Sequence, residues 1–139
     1  MNQLVARIHW LMLVSGALTF TMVTALVVPQ SALRSTFGAT LEGPVADVVV
    51  RNWGALIALV GAMLVYGAFK PAVRSLVLTV AAASKATFIA LVLAEGGLFL
   101  VHQAGVAVAV DAVLVVLFAL YLVAAPRAAR LASANDSRR

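Results

Sequence analysis

The chain has 139 residues, 64% of them apolar and 11% charged, with a mean hydropathy of +1.09. Soluble domains are nearer half apolar and a quarter charged, and no soluble fold this short hides so much apolar surface, so a bilayer has to solvate much of it. The lack of cysteine excludes disulfides, Cys-based zinc and thiol chemistry, two histidines cannot build a His-rich metal site, and the net charge of +5 lies mostly beside apolar segments, which points to a membrane rather than to nucleic acid.

Crossing a bilayer core takes about 20 apolar residues in a helix. The first qualifying run covers about residues 8–28 and stops before Pro29. Its apolar stretch exceeds a signal-peptide core and no Ala-x-Ala site precedes Pro29, so it reads as a retained helix. Its Ser15, Gly16 and Thr19 offer a small-residue face. The link from Pro29 to Asp47 is the longest in the chain. In it, Leu33 and Phe37 stand four apart between Ser31 as a cap and Gly38 as a stop, which suits one or two turns of interfacial helix; an irregular loop fits equally.

The second run covers about residues 48–69, with Gly54, Ala58, Gly61 and Ala68 along one stripe for internal packing or a dimer face. A short Lys70–Arg74 link makes the third run, about residues 75–94, its antiparallel neighbour. A Glu95-Gly96-Gly97 turn signal follows, then a fourth run over about residues 103–125 that stops before Pro126. All four runs are continuous rather than alternating and too long for strands. The expectation is all-α: a four-transmembrane-helix bundle as a single domain over residues 1–126, with a basic cytoplasmic tail over 127–139.

Orientation follows from the cations. Arg7, Lys70, Arg74, Arg127, Arg130, Arg138 and Arg139 share one side, and Arg34 and Arg51 the other, so both termini are expected in the cytoplasm and the long link outside. Trp10, Tyr66, Phe69 and Tyr121 then mark the inner interface and Trp53 the outer one. His9 and His102 fall at opposite interfaces and cannot share one haem. Eight arginines against two lysines, with abundant Ala and Val, resemble the output of a GC-rich bacterial genome.

One lysine breaks the pattern. Lys85 sits ten residues from both Ser75 and Glu95, about 15 Å from either end at 1.5 Å per residue, so it cannot fully snorkel. It costs about 2.5–3.5 kcal/mol on insertion scales, and each apolar residue of its span returns only about 0.3–0.6 kcal/mol, so a partner matters. Asp111 is the natural one, because residue 98 is the midpoint between 85 and 111 and lies beside the glycine turn. Asp47 and Arg51 are spaced to pair along a helix. With Asn52 and Glu95 they form an outer polar cluster. Such charges mark either a register-fixing ion pair or a functional site.

There is no P-loop, GxSxG, HExxH or paired-carboxylate motif, and no residue set implies a cofactor. The first span lacks the embedded acid of small multidrug transporters, which share this size and plan. The stretch from Arg51 to Gly67, RNWGALIALVGAMLVYG, resembles the second helix of DoxX-like small bacterial membrane proteins, which also begin that helix with arginine and space glycines along it. The resemblance implies an inner-membrane four-helix bundle, sometimes linked to respiratory or redox partners; it brings no catalytic residues, and the lack of cysteine argues against a thiol role.

Three functions fit. One is a non-enzymatic membrane or accessory component held by the Lys85–Asp111 pair. A second is a small proton-linked transporter using Asp111 or Glu95 against Lys85. A third is a lipid- or quinone-binding enzyme or subunit using the outer cluster. Expected partners are the lipid bilayer and either another membrane protein or a second copy of the chain, not nucleic acid.

Overall fold

A computed structural model describes the backbone of residues 2–136 and the side chains of residues 7–126. It is all-helical, with no strand among the described residues. Four stretches are long and apolar enough to cross a membrane, Arg7–Val27, Pro44–Phe69, Pro71–Ala94 and Gln103–Pro126, which suggest a multi-pass membrane protein. The helices are α1 (Asn2–Phe20), α2 (Val23–Val27), α3 (Pro29–Phe37), α4 (Pro44–Phe69), α5 (Arg74–Ala94) and α6 (Gln103–Asp136), with a single 3-10 turn at Pro71–Val73 before α5.

The first span is interrupted. Thr21 Oγ1 donates to the Leu18 carbonyl at 2.6 Å, and the backbone N–H groups of Thr21 and Met22 reach only three residues back, to Leu18 and Thr19. A threonine hydroxyl competing for a helix carbonyl tightens the turn and ends α1 there. The chain resumes as α2, bends at Val28 and enters α3 with Pro29 at its first position, where a missing N–H costs nothing. Ser31 therefore lies inside α3 and is not its cap, whereas Gly38, at φ 73°, does end it. Leu33 is buried and Phe37 meets Trp53 and Phe99, with ring centroids 5.9 and 5.3 Å away.

The second span starts at Pro44 rather than near residue 48, because Gly43 (φ 98°) turns the chain and Pro44 fills the first helical position. At the far end, α6 runs through Pro126 to Asp136 instead of stopping before it. Proline removes one helical hydrogen bond, but the Ala- and Arg-rich sequence after it favours helix strongly enough to continue. The side chains of the basic 127–139 segment, and the backbone of 137–139, lie outside the described residues.

The spans form a ring in which α1 and α2 pack along α4, α4 along α5, and α5 along α6, while α6 closes only loosely against α1. The tightest seam is made by glycines. A Cβ on Gly61 would meet the Phe20 backbone nitrogen at 2.5 Å, one on Gly16 would meet the Gly61 carbonyl at 2.9 Å, and one on Gly54 would meet Ala25 Cβ at 2.7 Å. The small-residue stripe of α4 is thus occupied by α1 and α2 of the same chain. The bundle has two unlike halves. At the end away from α3, Ile8, Met12, Leu64, Leu78, Ala81 and Phe118 form a dense core. Tyr121 is buried in the same core. Towards α3 the packing opens around a cavity whose mostly apolar lining also carries Thr19, Thr36, Ser84, Lys85, Gln103 and Asp111.

Candidate functional site

One turn along α5 from buried Ala81 stands Lys85, itself buried. Its ammonium donates to Asp111 Oδ1 on α6 at 2.5 Å and to Thr19 Oγ1 on α1 at 3.2 Å. The two charged residues lie nearly the same number of positions from the ends of α5 and α6, so a Glu95–His102 turn with Gly96 and Gly97 at positive φ sets them level. Thr19 is the last buried residue before α1 breaks. Three helices therefore meet on one nitrogen.

Asp47 and Arg51 also pair, at 2.7 Å, and the Arg51 guanidinium donates to the Leu26 carbonyl at 2.6 Å, tying the end of α2 to α4. The two ion pairs differ in kind. Lys85 and Asp111 side chains are 9% and 16% exposed, whereas those of Arg51 and Asp47 are 43% and 41% exposed. An exposed pair of this sort contributes about 0–1 kcal/mol. Asn52 and Glu95 are exposed, and among the described residues Glu95 joins no ion pair. The outer polar residues thus form one ion pair and two separate side chains.

The Lys85–Asp111 pair borders a cavity of about 490 Å³ in the α3 half of the bundle. Thr19, Thr36, Ser84, Lys85, Gln103 and Asp111 are its main polar lining, and Trp53 closes part of the α4 side. No family model, curated protein or solved structure matches this chain. Its chemistry has to be read from the residues alone. A buried ammonium, a carboxylate and the hydroxyls of Thr19, Thr36 and Ser84 can hold a polar group or tie helices together. Among the described residues, no three potential metal ligands gather anywhere.

Sequence reasoning places Thr19 on a packing face and does not connect it to Lys85. Ser15 and Thr19, one turn apart and both buried on α1, are the available signal, since a polar stripe on an apolar span seeks a polar neighbour. Ser84, Thr36 and Gln103 give no such signal, because their convergence depends on where α1 breaks and how α3 folds back.

Proposed function

We propose that this chain is a non-enzymatic component of a bacterial inner membrane, with both termini cytoplasmic, in which Lys85, Asp111 and Thr19 lock α5, α6 and α1 at mid-membrane. The observation that carries this reading is the single buried ammonium held from two other helices. Helices in lipid have no hydrophobic drive to associate, so a polar knot at the centre of the bundle defines which helix meets which and at what register. The resemblance of the 51–67 stretch to DoxX-like proteins supports an accessory role beside a membrane-protein partner. The carrier alternative is supported by the cavity at Asp111, but Glu95, its second proposed acid, stands exposed at the end of α5.

A charge-removal cycle tests the lock. Lys85→Met and Asp111→Leu are each expected to destabilise the protein by about 3–5 kcal/mol, because each leaves one uncompensated charge, while the double variant returns to within about 1 kcal/mol of the parent. Thermal unfolding in lipid nanodiscs reads the cycle. Singles that unfold like the parent, or a double as weak as the singles, would overturn the lock.

A further inference from the structure

The cavity has features a lock does not need. A lysine ammonium has three donors, and among the described residues Lys85 uses two, on Asp111 and Thr19. Asp111 borders the cavity, and its second oxygen receives no hydrogen bond from the described residues. One donor and one acceptor therefore remain without a partner among the described residues, on two side chains that both border the cavity. The rest of that wall is mostly apolar, including Leu18, Ile57, Phe88, Val106 and Val110. A volume of about 490 Å³ is within the range that holds small organic ligands.

The cavity lining also reaches the seam between α1 and α6. α1 and α6 form the loosest seam of the ring, and the lining residues on either side of it, Leu18, Val106 and Val110, are 55%, 68% and 41% exposed. In a bilayer that exposure is to lipid, so a molecule dissolved in the acyl phase reaches the pair without crossing the polar end of the bundle.

Charge decides the class of head group. The ammonium and carboxylate already cancel. An added anion or cation would leave one net charge at membrane depth, which is costly. A hydroxyl leaves the balance at zero, accepts from the third Lys85 N–H and donates to the free Asp111 oxygen. We propose that the cavity is a binding site for an uncharged, hydroxyl-headed apolar molecule taken laterally from the bilayer between α1 and α6. This goes beyond the lock, which is read by stability and stands or falls separately.

The test uses the full chain in lipid nanodiscs and a 12-carbon primary alcohol carrying a mid-chain diazirine. On illumination, adducts should map to the cavity-lining parts of α1 and α6. Excess 1-dodecanol should remove them at a concentration at least tenfold lower than dodecane or dodecanoate does. Ala107→Phe, which adds bulk to the cavity wall and leaves both residues of the ion pair in place, should lower the competed labelling at least tenfold. Lys85→Met with Asp111→Leu should abolish the preference for the alcohol over dodecane. Adducts spread over outward-facing Leu56 and Leu59 without competition would overturn the site. Equal competition by dodecane or dodecanoate would overturn the head-group assignment even if Ala107→Phe failed to fold.

Discussion

An ammonium inside a bilayer is only as stable as the acceptors around its N–H groups, so Thr19 and Arg51 make a useful contrast. Thr19→Val keeps the shape of the side chain and removes the hydroxyl 3.2 Å from Lys85. Interhelical hydrogen bonds in membranes average about 0.6 kcal/mol and reach about 1.7 kcal/mol, and a charged donor puts this one at the upper end. Arg51→Gln removes an ion pair with a shorter distance, 2.7 Å, together with the exposed bond to the Leu26 carbonyl, but the pair is more than two-fifths exposed at the side chain, so the loss should stay at about 1 kcal/mol. Thermal unfolding of the two variants in nanodiscs should therefore rank Thr19→Val as the more damaging, and the reverse order would mean that burial does not set these energies. The level placement of Lys85 and Asp111 is legible from spacing because a hairpin turn converts sequence distance into depth. The third partner is not, since nothing in the order of residues states which face of the first span meets the fifth helix.

Helices of this length announce themselves through apolar runs, and their ends are legible where proline or glycine supplies punctuation. The interruption at Thr21 is not, because it depends on one hydroxyl choosing a backbone carbonyl, and threonine is otherwise ordinary in a membrane span. Pro126 misleads in the opposite sense, since a stop signal is outvoted by the helix formers behind it. The glycine stripe of α4 is visible in sequence as a stripe, while its occupant is not. Gly61→Ala puts that occupancy to the test. The new methyl would gain about 1 kcal/mol of helix propensity, but it would lie 2.5 Å from the Phe20 backbone nitrogen, and a backbone atom in a helix moves only if the whole of α1 moves. Overpacking of that kind costs about 1–3 kcal/mol. The net expectation is a lower unfolding temperature for Gly61→Ala, with Ala62→Leu on the exposed neighbouring position within about 0.5 kcal/mol of the parent. A neutral Gly61→Ala would show that α1 does not rest on this stripe.

At the scale of the whole chain, which end of the bundle faces the cytoplasm decides which compartment lies beyond α3 and the cavity. Four crossings place the start of the first span and the end of the last at one end of the bundle. The cations near that end, Arg7, Lys70 and Arg74 with the basic segment after Pro126, outnumber Arg34 and Arg51 at the other. Lys and Arg in short links resist translocation, so the richer end is expected to stay inside. The chain contains no cysteine, which makes single-cysteine variants clean reporters. Thr40 follows α3 and Ala72 lies in the turn before α5, and both are exposed. A membrane-impermeant maleimide added to intact cells should label Thr40→Cys and spare Ala72→Cys until the membrane is opened. The opposite pattern would turn the molecule over and put the cavity on the cytoplasmic half. Labelling of both positions at once would imply mixed insertion. Two arginines against a much larger opposing set make the inverted pattern harder to reconcile with the charge distribution than mixed insertion, because inversion translocates the cation-rich end in every molecule.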